Sequence, residues 1–156
     1  RCYKKKIVKK FFFVLILIFF DFLSKVIIYN TIELHKFIYI FSFLDLTHIH
    51  NYGISFGLFA GIIDAKIIII IGSIVTLFFI YILLKSRDIF EKWALLLVIS
   101  GATSNILDRA LNNYVLDFIY LHYKDFYWPA FNFADIYISI GIMMIILNML
   151  KKINKT

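Results

Sequence analysis

The chain has 156 residues, 62% of them hydrophobic, and a mean hydropathy of +0.87. That apolar share excludes an ordinary soluble domain and fits one integral membrane domain, residues 1–156, with about four spans of roughly 20 residues each. The net charge of +7 does not mark a nucleic-acid binder, because twelve of the seventeen Lys and Arg flank the apolar runs, the arrangement that keeps basic flanks in the cytoplasm.

The first predicted helix covers about 9–29. Arg1, Lys4, Lys5, Lys6, Lys9 and Lys10 precede it, as in a cleaved signal peptide. The apolar run continues past Asp21 to Ile28 with no small-residue cleavage site, so the reading is a retained transmembrane helix. Asp21, Ser24 and Lys25 share one face at i, i+3 and i+4, and Asp21 stands in the favourable order for an ion pair with Lys25. A Ser24–Lys25 nucleophile pair is disfavoured, since adjacent helical residues project about 100° apart. The single cysteine, Cys2, allows no internal disulfide and no CxxC motif, and reads as an incidental thiol.

Residues 30–65 are too polar to span a membrane and too apolar for a plain solvated loop. Phe37–Phe43 and Asp45–His50 read as short strands or interfacial pieces. His48 and His50 would point to one face of such a strand, but two ligands are too few for a metal site, so they read as outward polar histidines. A second helix at about 66–85 carries a long Ile run, and a charged turn leads into a third at about 92–111. There Gly101, Asn105, Asp108 and Asn112 form a polar stripe at i, i+4, i+7 and i+11, with Arg109 four after Asn105. Such a stripe is unstable against lipid and must face the bundle or water; the plainer alternative is interhelical hydrogen bonding.

Residues 112–132 are rich in Tyr and Trp, as at a membrane interface. The fourth helix, at about 133–150, opens with Asn132, Asp135 and Ser139 at i, i+3 and i+7. Both termini and the turn near Lys85–Lys92 go to the cytoplasm, and segments 30–65 and 112–132 face outward. The expected fold class is an all-α polytopic membrane protein: four transmembrane helices with a small outer-face segment of strands or interfacial helix.

Carboxylates at membrane depth are retained for function, and two that converge in a dry site can divide acid and base roles. Asp135 lies about 16 residues, hence about 24 Å, from Lys151, and Asp108 is equally far from Lys92. Depth alone therefore prefers Asp108 as the partner of Asp135. Asp117 lies further out unless the helix ends at Asn112–Asn113 and the chain folds back.

Five segments in order resemble the lipoprotein signal peptidase family, the type II signal peptidases of bacteria. Asp21-Phe22-Leu23-Ser24-Lys25 resembles the family's D-x-x-S-K, and Asn51-Tyr52-Gly53-Ile54-Ser55-Phe56-Gly57 its N-x-G-x-x-F. Gly101-Ala102-Thr103-Ser104-Asn105-Ile106-Leu107-Asp108-Arg109 resembles G-G-x-x-G-N-x-x-D-R. Tyr114-Val115-Leu116-Asp117-Phe118 resembles V-V-D-F, and Phe131-Asn132-Phe133-Ala134-Asp135 resembles F-N-x-A-D. Ser100 and Ser104 stand where the family usually has Gly or Ala; both are small, so close helix packing survives.

The resemblance implies an aspartyl endopeptidase that removes the signal peptide of a prolipoprotein just before its diacylglyceryl-modified cysteine. It assigns the catalytic pair to Asp117 and Asp135, against the depth argument for Asp108, which becomes a supporting residue. Asp21, Lys25, Asn51, Gly53, Asn105, Arg109 and Asn132 complete the supporting or substrate-binding set, with no metal and no cofactor. The implied partners are lipid-modified prolipoproteins and membrane lipids, the chain itself being a monomer in the bacterial cytoplasmic membrane with its site at the outer face. The competing readings are a small proton-coupled transporter or channel subunit, which would spread polar residues through the full depth, and a non-catalytic scaffold, which needs no paired acids.

Overall fold

A computed structural model describes residues 2–54 and 61–154, with side chains from residue 8 onward. Four helices follow the apolar runs: α1 (Cys2–Thr31), α2 (Ala65–Lys85), α3 (Ile89–Asn112) and α4 (Phe133–Ile153). Each contains a stretch of at least 21 residues apolar enough to cross a membrane. Local chemistry sets their ends. The Asp64 carboxylate accepts from Lys66 N at the start of α2, and Asp88 does the same for Phe90 N and Glu91 N at the start of α3. Asn132 and Asp135 form a reciprocal capping box on α4.

Helix α3 is central, touching α1, α2 and α4. Ala94, Leu95 and Val98 are buried along its seam with α4, where Gly141 leaves no room for a Cβ: one would lie 2.6 Å from Ala94 O. By contrast α1, α2 and α4 expose Phe, Ile and Leu over much of their length. In a water-soluble protein that surface would aggregate; in lipid it is the ordinary exterior.

One end of the bundle carries a four-stranded antiparallel sheet in the order β1 (Phe37–Phe41), β2 (Leu44–Asn51), β3 (Val115–Tyr123) and β4 (Phe126–Tyr127). Its strands come from both segments assigned to the outer face, so these two segments lie together. Among the described residues this region is a sheet and contains no helix. Residues 55–60, the second half of the segment beginning at Asn51, lie outside the described residues, as do Arg1 and Lys155. A small core of Ile28, Ile32, Leu116 and Phe118 seats the sheet on the end of α1. At the opposite end Asn148 Nδ2 donates to Asp88 Oδ2 at 2.7 Å, and Lys152 pairs with Asp88 and Glu91, joining the α2–α3 turn to the last turns of α4.

The helices run longer than the apolar periodicity indicated: α1 to Thr31, α3 from Ile89, α4 to Ile153. Residues 112–132, expected only as a polar aromatic connection, form the longest strand. The outward placement of His48 is corrected. His48 is buried, its Nδ1 lies 2.8 Å from Ile32 O, and its Nε2 lies 3.0 Å from His50 Nε2. The shift in β2–β3 register between Leu46 and Ile49 turns Thr47 and His48 inward, and His48 ties β2 to the end of α1.

Candidate active site

Asn113 ends α3 in the left-handed conformation at φ 66°, with its N–H bonded to Arg109 O. Asn tolerates this geometry better than most residues. The chain reverses there and enters β3, which brings Asp117 back over the bundle. Asp117 pairs with Ile49 and Val115 with Asn51 across β2–β3, so the Asp117 and Asn51 side chains lie on one face as diagonal neighbours. Asn51 Nδ2 donates to Asp117 Oδ2 at 2.9 Å.

A short bridge between Ile119 and Phe131 then returns the chain alongside β3, with Ile119 N and Phe131 N each donating to the other's carbonyl. This puts Asn132 beside Asp117, and Asn132 Nδ2 donates to Asp117 Oδ1 at 2.7 Å. The same Asn132 caps α4: its Oδ1 accepts from Asp135 N at 3.1 Å and its own N–H donates to Asp135 Oδ2 at 3.2 Å. One fully buried asparagine thus links the two carboxylates. The second oxygen of Asp135 accepts from Asn105 Nδ2 at 2.9 Å.

Asp117 and Asp135 open into one cavity of about 340 Å³, shared with Asn51, Asn105 and Arg109 and walled by apolar side chains of α2, α3 and α4. Arg109 reaches over it, donating to Gly53 O at 2.6 Å and to Asn105 O at 3.2 Å. Burial, and then the neighbouring charge of Asp135, push the Asp117 carboxyl up to about 7 against the pull of its two asparagine donors. The pair can therefore hold one proton between its members near neutral pH, as general acid–base chemistry requires.

Behind the cavity Lys25 Nζ lies 2.6 Å from Asp21 Oδ2, 2.7 Å from Asp108 Oδ2 and 3.3 Å from Asn105 Oδ1. Asp21, fully buried, also accepts from Ser104 Oγ at 2.5 Å and from Ala134 N at 2.8 Å. All ten expected site residues thus join one network or its rim. Asp108, preferred on depth as the partner of Asp135, instead pairs with Lys25 and lines a different cavity with Tyr29 and Tyr114. Asn112 and Ser139 belong to the sequence stripes but are exposed and make no part of the network. Ser24 donates to the Asp21 backbone carbonyl at 2.6 Å, leaving it no role as a nucleophile beside Lys25. Ser104, a member of the polar island with Asn105, Asp108 and Arg109 whose small size also suits helix packing, joins the network through its bond to Asp21. Its place three after Gly101 and four before Asp108 put it on the polar face.

A family model described as signal peptidase (SPase) II matches residues 13–151. The chain is 43% identical over 111 residues to a lipoprotein signal peptidase of Thermodesulfovibrio yellowstonii, covering 70% of this chain and 73% of that protein. For that of Wigglesworthia glossinidia brevipalpis the identity is 38% over 130 residues, covering 82% and 85%. For that of Pelagibacter ubique it is 39% over 139 residues, covering 86% and 82%. A bacterial membrane enzyme structure determined by the in meso method at 2.3 Å superposes with a TM-score of 0.89 at 28% identity, over 96% of this chain and 92% of that one. A second, at 1.9 Å, gives 0.82 at 29% identity over 93% and 94%. Sequence, fold and the order of the motifs agree: the chain belongs to the signal peptidase II family of bacterial membrane proteases.

Proposed function

We propose that this chain is an aspartic endopeptidase that removes the signal peptide from lipid-modified prolipoproteins, with Asp117 and Asp135 as the catalytic pair. The observation that carries the reading is the convergence of these two carboxylates, one from the sheet and one from a helix N-terminus, on a single apolar-walled cavity through one shared asparagine. The ionised member takes a proton from water, and the resulting hydroxide adds to the scissile carbonyl carbon. The protonated member donates to the carbonyl oxygen. When the C–N bond breaks, the departing amine receives the proton taken from water, and the hydroxyl formed on the carbonyl oxygen returns its proton to the member that gave it. Neither step forms a covalent link to the enzyme.

Asn51, Asn105, Arg109 and Asn132 surround the pair and supply donors for substrate carbonyls as well as for the carboxylates. The apolar walls suit a signal sequence and acyl chains that stay in the bilayer while the scissile bond is presented at its edge. A substrate exported before cleavage requires the sheet end to face outward, with both termini in the cytoplasm. Nothing supports transport: the buried polar network occupies the sheet end of α1, α3 and α4, and along the described α2 only Ile68 and Thr76 are buried.

The test is cleavage of a diacylglyceryl-modified prolipoprotein by purified chain in detergent or lipid. Asp117→Asn and Asp135→Asn keep the shape but cannot cycle a proton, so each is expected to lose on the order of 10²–10⁴-fold in kcat. Wild-type rates in either, with Asp108→Asn inactive, would move the pair to Asp108.

A further inference from the structure

Asp117 and Asp135 have matching sets of nearest donors, two N–H groups each, yet their surroundings differ one bond further out. Both donors of Asp117 are neutral asparagine amides whose oxygens accept from backbone N–H groups, Gly53 N for Asn51 and Asp135 N for Asn132. One donor of Asp135 is the Asn105 amide, and its oxygen accepts from the Lys25 ammonium. A side-chain amide can be turned either way round, and its orientation follows from its partners. An ammonium has only donors to offer, so Lys25 requires the Asn105 oxygen to face it. The Asn105 NH₂ is thereby directed at Asp135, and polarised by a full charge on the far side of the amide.

The lysine is itself held. Its Nζ donates to Asp21 Oδ2 and Asn105 Oδ1 and forms an ion pair with Asp108 Oδ2, in a site where its side chain is 5% exposed. Asp21 also accepts from Ala134 N, the residue before Asp135, so the ion pair fixes the first turn of α4 as well as the charge behind it. The charged groups facing Asp135 are Asp117 from β3, Arg109 from α3, and Lys25 and Asp21 from α1. Through space, Arg109 and Lys25 each act on both carboxylates. The hydrogen-bonded relay from Lys25 reaches Asp135 alone, which also sits in the first turn of a helix, where a negative charge is favoured.

We infer that Lys25 is a positioning residue for the carboxylate pair: through Asn105 it holds Asp135 as the ionised member, so that Asp117 is the one carrying the proton. The assignment rests on the aspartic reading above and makes Asp135 the base that takes the proton from water and Asp117 the acid that serves the carbonyl.

The experiment is the pH–rate profile of the full chain on a lipidated substrate. Lys25→Met keeps the stem and removes the charge. Because it leaves Asp21 and Asp108 buried beside each other, Lys25→Met/Asp108→Asn is measured with it. Asn105→Leu cuts the relay and leaves the ion pairs intact. Removing the positive charge makes the ionised base costlier, so the acid limb of kcat is expected to move to higher pH by about one unit. The maximum kcat should fall about tenfold or more, with KM changed less. Asn105→Leu should move the limb the same way, and its combination with the lysine variant should add nothing further, as for two links of one chain.

An acid limb left at its wild-type position in Asn105→Leu, or in the folded double variant, overturns the inference and leaves Lys25 a merely structural cation. If Lys25→Met does not fold, Lys25→Met/Asp108→Asn decides, because Asn105→Leu also removes the amide that donates directly to Asp135. Asp117→Asn and Asp135→Asn in the same assay separate the two levels. If either is active, the aspartic reading fails. If both are inactive while the limb stays put, only the role of Lys25 fails.

Discussion

At Asp117 burial and a second carboxylate outweigh two amide donors, and a group with an ordinary value of 3.8 titrates at about 7. The folded chain therefore holds a proton there that the unfolded chain releases near 4. This contribution to stability is fully present below that value and is lost as pH rises through 7. A change of that size corresponds to at most about 4 kcal/mol. The difference in thermal unfolding between the wild type and Asp117→Asn, measured in micelles, should favour the variant progressively from pH 5 to 8; parallel curves would place the titration elsewhere. At this scale the sequence was informative about which residues matter and less so about who meets whom. Depth arithmetic put Asp108 level with Asp135, but height along a helix says nothing of azimuth. Asn105 and Arg109, four apart, turn to the cavity, whereas Asp108 turns toward α1 and Lys25. Asp117 reached the cavity through the reversal at Asn113, a turn that residue types alone permit but do not require.

Between elements, the placement of Asp135 depends on how closely α4 begins against α3. A Cβ on Gly101 would lie 2.2 Å from the backbone oxygen of Ala134, the residue whose N–H Asp21 holds. Backbone cannot yield as a side-chain tip can, so Gly101→Ala must push the start of α4 outward and carry Asp135 with it. We expect a stability loss of about 1–3 kcal/mol, typical of overpacking, and at least a tenfold fall in cleavage, since displacements near 1 Å at a reacting centre cost on the order of 10²-fold. Gly72 is the comparison: an added Cβ there meets only the Ile106 side chain, at 3.3 Å, and Gly72→Ala should change the unfolding temperature less than Gly101→Ala does. Equal losses in the two variants would remove the backbone clash as the reason for Gly101. The helices were legible because long apolar runs and basic flanks are strong signals. The strands were less so. The first four residues of β3 are all buried, while all five of β1 are exposed. Neither shows the alternation that a half-buried strand displays.

For the whole molecule, a sheet at one end and a charged clasp at the other define its polarity across the bilayer. The sheet end carries the buried carboxylates. The opposite end gathers Lys85, Arg87, Lys151 and Lys152, with Lys152 bonded to Asp88 and Glu91. Positive flanks are retained in the cytoplasm, whereas acidic residues contribute little to orientation. The clasp end should therefore be cytoplasmic and the sheet end outside, the side on which an exported, lipid-anchored substrate presents its signal-peptide junction. Single cysteines at Lys36, Arg87, Lys124 and Asn154, all exposed, report this directly once Cys2 is replaced by Ser. An impermeant thiol reagent on intact cells should label positions 36 and 124 at once, and positions 87 and 154 only after the membrane is permeabilised. The opposite order would invert the molecule and put the carboxylate pair on the side its substrate has already left.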